Sequence, residues 1–223
     1  MNTMKIKLKV MRIYWLLNRT RVVDWLAPLG FRLYLAPIFI IFGLNKLNNF
    51  ESVVAWFGNP DGGLGLPMPA LLAGLAIAAE LIGGFALLIG LAVRWMTIPL
   101  MITMLVAALT AHASNGWYYV APTDPNTNIA KITRSVGFPG AQESFENSVA
   151  VNAKLTKARE ILQEHGDYKW LTEKGNFVIL NNGMELAVTY FLMLLSLFFT
   201  GAGRFVSFDY WINKKTGLAL LSK

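Results

Sequence analysis

Glu80 stands near the middle of an apolar run covering residues 67–93. A carboxylate at the centre of a bilayer is expensive unless a partner or water neutralises it, so such a residue marks a candidate site. Arg32 lies toward the inner end of an earlier apolar run, and a long guanidinium bridges a modest offset in depth. An Arg32–Glu80 ion pair is therefore expected. That pair admits two roles: a lining for protons, a quinone headgroup or ions, or a registry device that fixes helix packing without chemistry. A lone protonated Glu80 is the third alternative. Lys46, His112 and Glu185 fall near the outer ends of their runs and form a second expected cluster. Its plain reading is interfacial snorkelling of long side chains, although His112 is of a type that titrates near neutral pH.

Positioning these groups requires elements that cross hydrocarbon. Hydrophobic residues make up 55% of the 223, charged residues only 15%, and mean hydropathy is +0.46. A soluble domain carries more charge on its surface. Four stretches, 25–47, 67–93, 95–113 and 183–203, approach or exceed the roughly 20 residues that span a bilayer. Each has a face that repeats at helical spacing. Ala73, Ala76, Glu80, Gly83 and Gly90 mark the second, and their small side chains permit close helix approach. Arg32, Ala36, Phe39, Gly43 and Lys46 share a face of the first, and Glu185, Thr189, Ser196, Thr200 and Gly203 a face of the fourth. Thr103, Thr110 and His112 belong to the third. The expected fold is an all-α membrane protein, an antiparallel four-transmembrane-helix bundle with a polar seam and a small extracytoplasmic capping insert.

The distribution of charge orients this bundle. The formal charge is +7, and the excess sits before the first run, after the last, and at Arg94 between the second and third. Both termini and the second connection are thus expected in the cytoplasm. The basic tail also suits anionic headgroups, so lipid, not nucleic acid, is the implied partner. Residues 1–24 read as a basic amphipathic segment on the interface. The first connection holds Asn59-Pro60-Asp61-Gly62-Gly63, a dense turn signal. No small-residue cleavage site follows a short apolar core near the start, so a cleaved signal peptide is not expected.

The chain divides on this reading into a cytoplasmic segment 1–24, helices one to three over 25–116, an insert 117–182, helix four over 183–204 and a cytoplasmic tail 205–223. The insert is far longer than a connector needs. It opens on Trp117-Tyr118-Tyr119, continues through a Pro- and Asn-rich stretch at 121–128, and carries an amphipathic helix at 148–165 that stops at Gly166. Residues 170–173 and 177–180 flank Lys174-Gly175-Asn176 and suggest a small hairpin.

Zero cysteines exclude disulfide exchange, iron–sulfur clusters and Cys-ligated zinc. Met96, Met101 and Met104 suit helix packing better than metal ligation. No nucleophile–base array, metal box or flavin motif stands out, so chemistry performed by this chain alone is disfavoured.

Several short motifs together resemble the DoxX family of small four-helix membrane proteins. They are Arg32 followed by Phe39-Ile40-Ile41-Phe42-Gly43-Leu44-Asn45-Lys46, then Ala79-Glu80-Leu81-Ile82-Gly83-Gly84 and Gly90-Leu91-Ala92-Val93-Arg94. The last is Thr200-Gly201-Ala202-Gly203-Arg204-Phe205-Val206-Ser207-Phe208-Asp209, in which Gly201, Gly203, Arg204, Ser207 and Asp209 carry the likeness. The resemblance covers roughly residues 27–115 and 183–211, and the long insert departs from the compact pattern. It implies a membrane subunit of an oxidoreductase system. One branch, DoxD, is a thiosulfate:quinone oxidoreductase subunit, and others are implicated in oxidative or thiol stress.

Residues and resemblance together lead to an expectation: a non-catalytic or co-catalytic subunit of a bacterial-type inner membrane that anchors or couples a redox partner. It carries no intrinsic cofactor, with a quinone as the one diffusible group it suits, and it associates with a protein partner or with its own copies. Two alternatives stand beside it. One is a quinone-linked oxidoreductase acting on a small sulfur anion held by Lys46 and His112. The other is a small transporter or proton-linked permease with Glu80 as relay.

Overall fold

The computed structural model describes residues 2–122, 124, 129–138 and 140–217. Residues 125–128 of the Pro- and Asn-rich stretch, and Lys223 of the tail, lie outside them. Helix α1 (Asn2–Arg19) and a 3₁₀ turn (Thr20–Val23) lead into α2 (Leu26–Asn48). There follow α3 (Phe50–Gly58), α4 (Pro69–Ile89) and α5 (Val93–Val106), the last continued by a π-helical turn (Ala107–His112). Helices α6 (Ile129–Ser135), α7 (Ala141–His165), α8 (Tyr168–Leu171), α9 (Glu185–Thr200) and α10 (Phe208–Thr216) complete the described elements.

Among the described residues, three helical stretches are long and apolar enough to cross a membrane: Leu26–Asn48, Pro69–Ile89 and Val93–Asn115. Helix α9 is apolar but has 16 residues, about 24 Å of rise against roughly 30 Å of hydrocarbon. The spanning helices turn large apolar side chains outward, including Leu33, Ile41, Leu75, Ile82, Phe85 and Ile102. Among the residues they bury are Arg32 and Glu80. Polar inside and apolar outside is the arrangement that lipid selects.

The chain forms two compact units. The first comprises Met1–Gly58, Leu66–Met101 and Leu192–Lys223. Its core is the antiparallel packing of α2 on α4, and glycines set the distance between them. A Cβ on Gly43 would lie 2.7 Å from the Leu81 side chain, and one on Gly84 would lie 2.8 Å from Ile40. On another face of α4, Gly83 receives Leu100 in the same way. Leu35, Ala36, Phe39, Ala73 and Leu87 fill this core.

The second unit comprises Asn59–Gly65 and Ile102–Phe191. The Asn59–Gly63 turn forms as its residues dictate, with the Gly63 amide donating to the Asn59 carbonyl and the Asp61 amide to Asn59 Oδ1. The amphipathic helix expected at 148–165 is α7, which starts earlier, at Ala141. Its buried face includes Ser144, Ser148, Val151 and Leu155.

Two expectations about elements are corrected. The hairpin around Lys174-Gly175-Asn176 does not form: Tyr168–Leu171 is helical, capped by Asp167 accepting from the Trp170 amide. The Phe177–Leu180 side contributes instead an isolated antiparallel bridge, Val120 with Leu180. A capping carboxylate three residues ahead of Trp170 outweighs local strand propensity. The first connection, read as loop, contains helix α3. Within the polar stripes, three hydroxyls bond inside their own helices. Thr110, Thr189 and Thr200 each donate to the carbonyl four residues back in their own helix, at 2.7, 2.8 and 2.8 Å. A hydroxyl in an apolar helix finds that acceptor without a partner.

Candidate functional site

The glycine contacts fix the register of α2 against α4, and register decides which charges meet. Gly43 faces Leu81 and Ile40 faces Gly84, so Lys46, one turn beyond Gly43, comes level with Glu80. Lys46 Nζ donates to both Glu80 oxygens at 2.7 Å. Glu80 retains only 2% of its side-chain exposure, whereas Lys46 keeps 28%. The lysine stem runs beside the Phe42 ring, with Nζ 5.6 Å from its centroid. A near-buried carboxylate thus meets a cation that remains partly accessible. That arrangement neutralises charge in the bilayer and leaves a donor for a small polar group.

The expected Arg32–Glu80 pair does not exist. Arg32 is 1% exposed and all its reach goes to backbone oxygens. Nε donates to Leu87 O at 2.7 Å and Nη2 to Leu88 O at 3.1 Å, while Nη1 donates to Ala202 O and Val206 O, both at 2.8 Å. Leu87 and Leu88 lie two turns beyond Glu80, roughly 11 Å along the helix. The last carbonyls of a helix lack intrahelical partners, and in hydrocarbon each one left bare is costly. They claim the guanidinium before Glu80 can.

Arg32 is the centre of a clasp at this end of the first unit. Helix α4 ends in a Schellman turn: Gly90 takes a left-handed φ of 72°, and the Leu91 amide donates to Ala86 O at 2.9 Å. Asp209 then caps the start of α5, accepting from the Ala92 amide at 2.6 Å and the Val93 amide at 3.0 Å. Its own amide donates to Gly90 O at 3.0 Å. Ser207 caps α10 by accepting from the Tyr210 amide, and its hydroxyl donates to Gly203 O at 2.8 Å. Gly203, at φ 81°, lies close under Pro28 and the Trp25 carbonyl. Gly201 donates its amide to Leu197 O. Arg204 forms a surface ion pair with Asp24 and also donates to Arg21 O.

The remaining sequence candidates find partners within the second unit. His112 Nδ1 lies 2.8 Å from Asn182 O, and Glu185 accepts from the Tyr119 amide at 3.0 Å. Lys46 is held by Glu80, so each member of the expected outer cluster has a local partner of its own. Sequence reading missed the asparagines that organise this unit. Asn181 donates to Asn115 O and Tyr118 O, and Asn147 donates to Asn181 Oδ1. Their only signal was the Asn181-Asn182 pair at the close of the insert. Tyr118 accepts from the Ile129 amide at 2.9 Å. Burial pushes its phenol above the usual range, with the nearby Glu185 carboxylate adding to the shift.

These positions now explain the sequence motifs. Arg32, Glu80 and Lys46, with the glycines that set their register, fall in one segment of known type. Residues 27–113 match the DoxX family model. Within the matched residues, Lys46–Glu80 is the intramembrane ion pair and Arg32 is the helix-end clasp. The clasp's other half, from Gly201 to Asp209, lies beyond the matched residues. No curated protein and no solved structure matches the chain. The likeness covers residues 27–113, and together with the three helices long and apolar enough to cross a bilayer it points to a multi-pass membrane protein.

Proposed function

We propose that this chain is an integral membrane subunit that anchors or couples a redox partner, and that the Lys46–Glu80 pair is its polar contact point. On this reading α9, lengthened by its flanks, is a fourth crossing of a bacterial-type inner membrane. Both termini are cytoplasmic and residues 117–182 form an extracytoplasmic cap, as the distribution of Lys and Arg supports.

The observation that carries the proposal is the asymmetry of the pair, a carboxylate 2% exposed held by an ammonium 28% exposed. A fully sealed pair offers no donor to a ligand, whatever it contributes to packing. Here one donor stays reachable, which fits a group with a carbonyl oxygen and an apolar body, such as a quinone. When bound, such a group supplies two-electron chemistry with a redox partner. Lys46 orients the oxygen by donating to it, and Glu80 holds or releases a proton at its carboxylate as Lys46 moves away. A relay of protons across the membrane, the permease reading, draws on the same carboxylate. The sulfur-anion reading gains no observation, because Lys46 is engaged by Glu80 and His112 by Asn182.

The test is purification in nanodiscs, followed by an optical spectrum, extraction of quinones and mass spectrometry of co-purifying proteins. Stoichiometric quinone or a redox protein, reduced by Glu80→Gln or Lys46→Met, supports the subunit reading. A colourless, quinone-free chain with no redox protein removes it and makes the pair a packing device. Proton-coupled flux in liposomes that Glu80→Gln abolishes selects the permease instead.

A further inference from the structure

Within the first unit a groove of about 850 Å³ opens beside the clasp. Arg94, Arg204 and Lys214 are its basic lining residues, and Asp24 and Asp209 its acidic ones. Both acids are engaged. Asp24 pairs with Arg204, and Asp209 caps α5 through two amides. Arg94 donates to Phe199 O at 3.0 Å, through one of its five N–H groups. Lys214 lies over Trp211, with Nζ 5.1 Å from the ring centroid. Among the described residues no carboxylate pairs with Arg94 or Lys214, so two cations of the groove stand without an ion-pair partner and its lining is net positive.

The rim is aromatic. Trp25 and Trp95 line it, and Trp95 is 73% exposed. Indoles beside cations at the end of membrane-spanning helices mark the headgroup level of a bilayer. The planar guanidinium of Arg94 matches two phosphate oxygens, and Lys214 adds a mobile point charge.

We propose that this groove is a binding site for the phosphate of an anionic phospholipid headgroup, held by Arg94 and Lys214 between the indoles. Free inorganic phosphate presents the same oxygens. The lipid is favoured because exposed Trp95 offers its acyl and glycerol portion an apolar surface that a free anion does not use. The site is independent of the redox reading, which concerns Lys46 and Glu80.

The experiment is native mass spectrometry of the full-length chain in detergent, titrated with phosphatidylglycerol and, separately, phosphatidylcholine. Phosphatidylglycerol should bind preferentially. Arg94→Gln with Lys214→Gln should weaken that binding roughly thirty-fold, the effect of two basic residues at an anionic surface. Arg94→Lys with Lys214→Arg should recover most of it. Lys214→Gln alone, on an exposed face of α10, should cost about fivefold and keeps the test open if the double variant does not fold. Equal binding of the two lipids, or no loss in Lys214→Gln, overturns the proposal. Displacement of the lipid by inorganic phosphate at matched concentration also overturns it and makes the groove a free-anion site.

Discussion

Gly90 and Arg32 lie so close that no side chain fits between them: a Cβ on Gly90 would stand 2.5 Å from Arg32 Nη2 and 2.7 Å from Ser207 Cβ. The left-handed φ of Gly90 adds a backbone reason for the same residue. Gly90→Ala should therefore destabilise by about 2–4 kcal/mol, from strain at a positive φ together with a forced shift of the guanidinium. Gly74, also on α4, has open space around it. Gly74→Ala should be neutral or stabilising by up to about 1 kcal/mol. Thermal unfolding of the two variants in one detergent checks the contrast.

Arg32 satisfies carbonyls, so charge alone should not replace it. Lysine has a single nitrogen and cannot span four acceptors on α4 and the Gly201–Ser207 segment. Arg32→Lys should cost about 3 kcal/mol or more and lower the yield of monodisperse protein, nearly as severely as Arg32→Ala. Size-exclusion profiles after graded heating measure this. An Arg32→Lys variant as stable as the parent would remove the clasp.

Lys46 and Glu80 should couple in a double-mutant cycle. Lys46→Met strands a buried carboxylate and should destabilise by about 3 kcal/mol, whereas Lys46→Met with Glu80→Gln should recover at least half of that loss. The same cycle with Arg32→Met in place of Lys46→Met should be additive, because Arg32 does not touch Glu80. Strong coupling between Arg32 and Glu80 would contradict the register of α2 on α4.

Tyr118 should shape the alkaline limb of stability. Burial raises the pKa of its phenol above the ordinary tyrosine range, and Glu185 adds to the shift. A folded pKa above the unfolded one means that its contribution is fully present below about pH 10 and is lost as pH rises through the folded value. Tyr118→Phe should therefore flatten the fall in stability above pH 10 and lower the neutral range evenly by about 1 kcal/mol, because the Ile129 amide loses its acceptor. Melting temperatures from pH 7 to 11 provide the comparison.

How far the sequence reached is clearest at three residues. Glu80 was legible because an ionisable group in an apolar run needs a partner whatever the fold. Arg32 and Lys46 were both identified as lining residues by their helical spacing, yet the partner of Glu80 was misassigned between them. Depth estimated from the ends of runs ignores the glycine contacts that slide α2 along α4. It also ignores the carbonyls at the end of α4, whose demand for a donor appears in no side-chain pattern. The helix at α7 was legible from its periodicity, whereas Asp167 made a helix of residues predicted as strand.

From residue types alone follow the membrane-spanning helices, the polar interior they must enclose, and the likeness to DoxX. The helices and their polar interior rest on composition and period, which act locally along the chain, and the likeness rests on short motifs in a fixed order. Which cation meets Glu80, what Arg32 caps, and how Asp209 reaches the start of α5 were decided only by tertiary structure. Each depends on helix register and on backbone groups brought together from distant parts of the sequence, and a hydrogen bond is won by whichever acceptor geometry places within about 3 Å.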